Sequence, residues 1–177
     1  FLIVCCQTEP SEDDINFIFS YLNAEHLDLN ALISLAVQHG ILPLVYKTIK
    51  KIVEDDSSFS FLNTSPVTRN TLEHLLTDLK SAYSQIAHRN MLMSAELIRI
   101  MKVLEDNGIE ALAFKGPALA QMAYGDITLR QYSDLDILIQ EEDIYILKAL
   151  LKDKNYERSY AMIPSVEKVW IKHAKDM

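Results

Sequence analysis

The chain has 177 residues, 49% of them apolar, with only 4 glycines and 5 prolines, which excludes a long disordered linker and fits one domain, or a small α/β domain with a helical companion. Lys and Arg number 17 against 25 Asp and Glu, a formal charge of −8; that balance argues against coating long nucleic acid, yet it permits a single nucleotide whose charge a metal ion offsets. The two cysteines, Cys5 and Cys6, are neighbours, so a disulfide framework is excluded and a reducing cytoplasm is the expected compartment.

The apolar run Phe1–Cys6 is too short to cross a membrane and has no basic flank of a signal peptide, so no membrane partner is expected. Its two thiols read as small buried hydrophobes rather than a redox pair. Ser11 caps a helix whose first turn is acidic, with Ile15, Ile18, Phe19 and Leu22 at helical spacing. A second helix runs from about Asp28 to Gln38 and ends at Gly40; Pro43 opens a third, carrying Leu44, Val45, Ile49 and Ile52. Glu54 to Pro66 is polar and reads as a loop.

A long helix follows, from about Val67 to Asn107. Its seam is Leu72, Leu76, Leu79, Tyr83, Ile86, Asn90, Met93, Leu97, Ile100 and Leu104. Steps of four and three are coiled-coil-like, and Asn90 alone breaks the apolar run. The spacing fits a helix packed along a bundle better than an independent coiled coil, but it leaves helix-mediated self-association open.

After Gly108 the pattern changes. Ile109–Phe114 reads as a strand, Lys115-Gly116-Pro117 breaks it, and Pro117–Ala123 reads as a helix. Tyr124–Tyr132 is a loop, Asp134–Ile139 a second strand, Glu141 to about Lys154 a helix, and Tyr156–Met162 a third strand. The fold class is α+β: a helical region over residues 1–107, then a small sheet with flanking helices over 108–177.

Ser133-Asp134-Leu135-Asp136 is the most informative stretch. On a strand, residues two apart share a face, so Asp134 and Asp136 project together while Leu135, Ile137 and Ile139 face the core. Paired carboxylates repel unless a hard cation lies between them, and Mg²⁺ (or Mn²⁺) suits one or two carboxylates plus substrate phosphates. Lys115-Gly116 falls between strand and helix. Glycine permits close backbone approach, the helix start directs amides of Gly116, Ala118 and Leu119 toward an anion, and Lys115 adds positive charge. Arg130 could reach a phosphate or pair with a carboxylate. Taken singly, an acidic pair is often an exposed strand end, Lys-Gly an ordinary turn and Arg130 a surface charge. Their order along the chain makes a nucleotide and metal site the better reading.

The stretches Phe114–Ala120 and Arg130–Ile139, together with Leu32–Tyr46, resemble the uncharacterised nucleotidyltransferase family of the polymerase β superfamily, and the resemblance extends over roughly Leu29–Tyr156. It implies transfer of a nucleoside monophosphate from a nucleoside triphosphate to a hydroxyl. The acceptor would be a protein, a sugar, a small molecule or an RNA end. It implies Asp134 and Asp136 as catalytic metal ligands, with Lys115, Gly116, Arg130 and Ser133 beside the nucleotide. Three departures are visible: Lys-Gly stands where the superfamily has Gly-Ser, the gap from Gly116 to Asp134 is longer than in many members, and the usual third carboxylate has no convincing counterpart in Glu157, Glu167 or Asp176. That acid is expected beyond Met177, the chain being read as a fragment. The alternative is a catalytically incomplete, nucleotide-binding or antitoxin-like module.

The five histidines, His26, His39, His74, His88 and His173, lack metal spacing and read as structural. Trp170 reads as core or interface, and no Gly-x-Ser-x-Gly supports hydrolase chemistry.

Overall fold

The computed structural model describes residues 1–7, 9–22, 28–54 and 66–157. Its elements are α1 (Leu2–Cys5), α2 (Glu12–Leu22), α3 (Leu29–Gln38), α4 (Leu42–Glu54), α5 (Pro66–Asp106), β1 (Ala111–Ala113), α6 (Gly116–Tyr124), β2 (Ile137–Ile139), a 3-10 turn (Glu141–Asp143) and α7 (Ile144–Asp153). This is the helix-rich α+β class expected from the sequence. His26, His173, Trp170, Glu167 and Asp176, most of the expected loop after Glu54, and residues 158–162 of the expected third strand lie outside the described residues.

The helix ends follow local chemistry. Ser11 Oγ accepts from the Asp14 amide at 3.2 Å, while Asp14 Oδ2 accepts from the Ser11 amide at 2.9 Å, a reciprocal cap at the start of α2. Asp28 Oδ1 accepts from the Ala31 amide at 3.0 Å and caps α3. At the end of α5, Gly108 takes φ +70, and the amides of Gly108 and Ile109 return to Glu105 and Leu104. That left-handed turn satisfies two orphan carbonyls and stops the helix where the sequence indicates.

The chain gathers into two compact units. Among the described residues, the first holds those of 1–97 and 115–136; the second holds those of 98–114 and 137–157. The core of the first unit brings Cys5, Ile18, Phe19, Leu32, Ala36, Leu42, Val45, Ile49 and Ile52 together with Leu72, Leu75 and Leu79 of α5. Thr48 Oγ1 donates to the Cys5 carbonyl at 2.9 Å, tying the short α1 to α4, and the Tyr46 and Tyr83 rings stack with centroids 4.3 Å apart. Burial pushes the Cys5 thiol up to about 12 and raises that of Cys6. Neither thiolate forms readily, which accords with a packing role rather than redox chemistry.

The seam of α5 is used within the chain. In the first unit Leu72, Leu79, Asn90 and Leu97 are buried as the spacing requires, but Leu75 is fully buried where Leu76 was expected and is only partly so. Both lie on the same side of Leu72 (three and four residues on), so periodicity admits either, and tertiary packing decides between them. Asn90 is fully buried, so a partner surface centred on it is not available at the surface.

In the second unit Leu104 and Ile109 are buried, and β1 pairs with β2 antiparallel in the register Ala111↔Ile139, Leu112↔Leu138, Ala113↔Ile137. Ile137 and Ile139 are partly buried while Leu138 is exposed, the alternation expected of a strand with one covered face. After α7, Asn155 adopts φ 64 and the Tyr156 amide returns to the Leu151 carbonyl, an asparagine version of the same helix stop. Arg99 donates to the Tyr156 hydroxyl at 2.6 Å and lies over its ring. No helix among the described residues is long and apolar enough to cross a membrane.

Candidate functional site

All six residues singled out from the sequence lie in the first unit. Lys115 and Gly116 form the junction that starts α6; Lys115 is its N-cap residue, and Pro117 falls in the first turn, where a missing N–H costs nothing. Gly116 is buried at φ +49. A Cβ there would stand 3.3 Å from the Asp134 carbonyl oxygen and 3.9 Å from Cδ2 of Tyr132. The glycine therefore allows its backbone to press against the loop that carries the acids. One donor expected from the sequence is already spent: the Leu119 amide bonds to the Lys115 carbonyl at 3.3 Å, closing the first helical turn, so only the amides of Gly116 and Ala118 precede the helix's own hydrogen bonding.

Asp134 and Asp136 stand on the approach to β2, which begins at Ile137 rather than at Asp134. Pairing with β1 covers only the three residues from Ile137, because β1 itself is three residues long. Asp134 is exposed. Asp136 is partly buried, and its Oδ2 lies 4.0 Å from Lys115 Nζ, with side-chain exposures of 39% and 53%. A pair this open to water contributes at most about 1 kcal/mol to stability. What it establishes is proximity: a cation and a carboxylate meet although α6 and a loop separate them along the chain.

That loop is held from behind by α5. Asn90 Nδ2 donates to the carbonyls of Ile127 and Arg130, both at 2.8 Å, and Arg89 donates to the Tyr132 carbonyl at 2.9 Å. The Tyr83 and Thr128 hydroxyls share a hydrogen bond of 2.9 Å, and Asp126 Oδ1 accepts from the Thr128 amide at 2.8 Å and its hydroxyl at 2.7 Å. Leu129 and Tyr132 are buried beneath. The side chains of Arg130, Ser133 and Asp134 make no hydrogen bond or ion pair among the described residues, and Ser133 is exposed. Sequence reasoning missed this support; the signal was Asn90, the single amide in an apolar seam.

Asp134 and Asp136 offer two solvent-accessible carboxylates, the oxygen donors that a hard divalent ion such as Mg²⁺ or Mn²⁺ prefers. Among the described residues no group of three or more His, Cys, Asp or Glu is gathered to enclose a metal. Glu157 is exposed and belongs to the second unit.

Within the first unit of this helix-rich α+β chain, a lysine–glycine turn packs on an acidic loop. The family model described as uncharacterised nucleotidyltransferase matches residues 25–176. The chain belongs to that family, and its general activity class is nucleotidyl transfer. No curated protein and no solved structure matches it.

Proposed function

We propose that this chain binds a divalent metal–nucleoside triphosphate and directs transfer of the nucleoside monophosphate to a hydroxyl acceptor. The observation that carries the reading is the meeting of the Lys115-Gly116 turn with Asp134 and Asp136. Cation, close backbone approach and paired acids come together from two segments of sequence.

Asp134 and Asp136 would hold Mg²⁺ or Mn²⁺, and the ion when bound offsets phosphate charge and lowers the pKa of a coordinated hydroxyl. The residues of the chain do the rest. Lys115, half-exposed, presents its ammonium to the phosphates from the carboxylate side. Arg130 and Ser133 flank the acids on a loop pinned to α5 and supply donors to the nucleotide. Gly116 sets the distance between the turn and the acids. The acceptor's oxygen forms its bond to the α-phosphorus as the bond to pyrophosphate breaks, and the acceptor proton leaves to solvent or a nearby base. The acceptor is a protein, sugar, small molecule or RNA end, and the compartment that suits two unpaired cysteines is the cytoplasm.

The test is calorimetry of a mixture of the four Mg–NTPs against the wild type and the Asp134→Asn/Asp136→Asn double variant, with pyrophosphate release followed when acceptors are offered. Mg²⁺-dependent binding should vanish in the double variant while its circular dichroism is unchanged. Equal affinity in the two proteins would remove the metal site; binding without pyrophosphate release would leave a nucleotide-binding module.

A further inference from the structure

Asn90 is fully buried on α5 in a seam otherwise apolar. Burying an amide is unfavourable unless its hydrogen bonds are satisfied, and here only half are. Both Nδ2 hydrogens go to the carbonyls of Ile127 and Arg130, 2.8 Å away, while Oδ1 is buried with no partner among the described residues. The amide cannot turn over to relieve that oxygen, because Oδ1 would then face two carbonyl oxygens. As a core residue, an amide with an orphaned oxygen is inferior to leucine. Its presence is explained by what the nitrogen holds.

What it holds is the loop leading to the acids. Two carbonyls three residues apart are fastened to one rigid helix, so the backbone from Ile127 to Arg130 has one arc. The neighbouring Arg89 fastens a third carbonyl, that of Tyr132, at 2.9 Å. Tyr132 in turn donates its hydroxyl to the Asn90 carbonyl at 3.2 Å and shares a contact of 3.2 Å with the Ser94 hydroxyl. Its ring lies 3.9 Å from the position a Gly116 Cβ would take. Ser133 and Asp134 follow immediately.

We infer that Asn90 is a positioning residue for the Asp134–Asp136 pair, with Arg89 as its second fastening point. The inference rests on the reading of those acids as metal ligands. Carboxylates on a loop have no strand ladder to set their separation, so the helix behind them must do it, and a site left loose binds its ion poorly.

The test uses the full chain, Mn²⁺ alone as probe, and hydrogen exchange as a second readout. Asn90→Leu preserves side-chain bulk in the core and removes both donors. It should retain a cooperative melt, lose about tenfold or more in Mn²⁺ affinity, and exchange faster over residues 127–136 while α2 and α4 are unchanged. A folded Asn90→Leu protein with wild-type Mn²⁺ affinity and wild-type exchange in that segment overturns the inference. Should Asn90→Leu fail to fold, the exposed Arg89→Ala variant decides: weaker Mn²⁺ binding with faster exchange near Tyr132 supports it, and no change in either overturns it. Asp134→Asn separates the two readings. If wild-type Mn²⁺ binding survives Asp134→Asn, the metal site is wrong and this inference falls with it. If binding is lost there but kept in Asn90→Leu, positioning by Asn90 alone is refuted.

Discussion

Replacing Gly116 by alanine tests whether the turn and the acidic loop are mechanically coupled. Two costs arise. The left-handed φ of +49 disfavours any residue with a Cβ, by about 1–2 kcal/mol. The new Cβ would also stand 3.3 Å from the Asp134 carbonyl oxygen, closer than ordinary contact, and that neighbour is backbone rather than a side chain that can swing away. Against this, alanine normally gains up to about 1 kcal/mol over glycine inside a helix. That gain is not available at Gly116, the first residue of α6, whose backbone is not right-handed. The net loss is therefore at least about 1–2 kcal/mol, the φ cost alone, a fall in Tm of at least about 2–8 °C for a chain of this size. Because the yielding atom belongs to Asp134, Mn²⁺ affinity should fall with it. Thermal melts by circular dichroism and an Mn²⁺ titration read both effects. An unchanged Tm with unchanged Mn²⁺ affinity would refute the close packing of turn on loop; a lower Tm alone would refute the coupling to the acids.

Lys115→Ala should leave Tm almost unmoved, since the Lys115–Asp136 pair is half-exposed and such pairs contribute at most about 1 kcal/mol. It should strengthen binding of free Mn²⁺ by removing a competing cation and weaken binding of Mg–NTP by removing a phosphate partner; calorimetry with each ligand reads the two directions, and a parallel shift would refute the assignment. Asp14 is held below the ordinary carboxylate range chiefly by the Ser11 hydroxyl, then by the Ser11 amide. A lowered carboxyl value contributes stability that is present above its unfolded value and is lost as pH falls through the folded one. The advantage of wild type over Asp14→Ala in thermal melts should therefore hold at neutral pH and shrink in acid, and an advantage that grows in acid would contradict the cap.

The helices were legible because their signals are local. Ser11, Asp28 and Gly108 act on the backbone within a few residues, so the ends of α2, α3 and α5 can be read without knowing what they pack against. The family, too, is carried by short stretches in order. The strands were less legible. The alternation from Asp134 suggested a strand, yet a strand needs a partner, and β1 offers only three residues, so β2 begins at Ile137. Leu75 and Leu76 illustrate the same limit on a helix: periodicity admits both, and the packing of the core chooses.

The order of residues by itself determined which segments coil into helices, where they stop, and that a lysine–glycine turn and an acidic pair occur in that sequence, because caps, glycine stops and periodicity act over a single turn of chain. Only the tertiary structure decided that Lys115 lies 4.0 Å from Asp136, that Gly116 presses on the Asp134 backbone, and that Asn90 faces the loop from behind. Those contacts join groups far apart along the chain, and no local rule specifies them; they exist because burial of the apolar seam brings α5 and the loop together and obliges a buried amide to find its carbonyls.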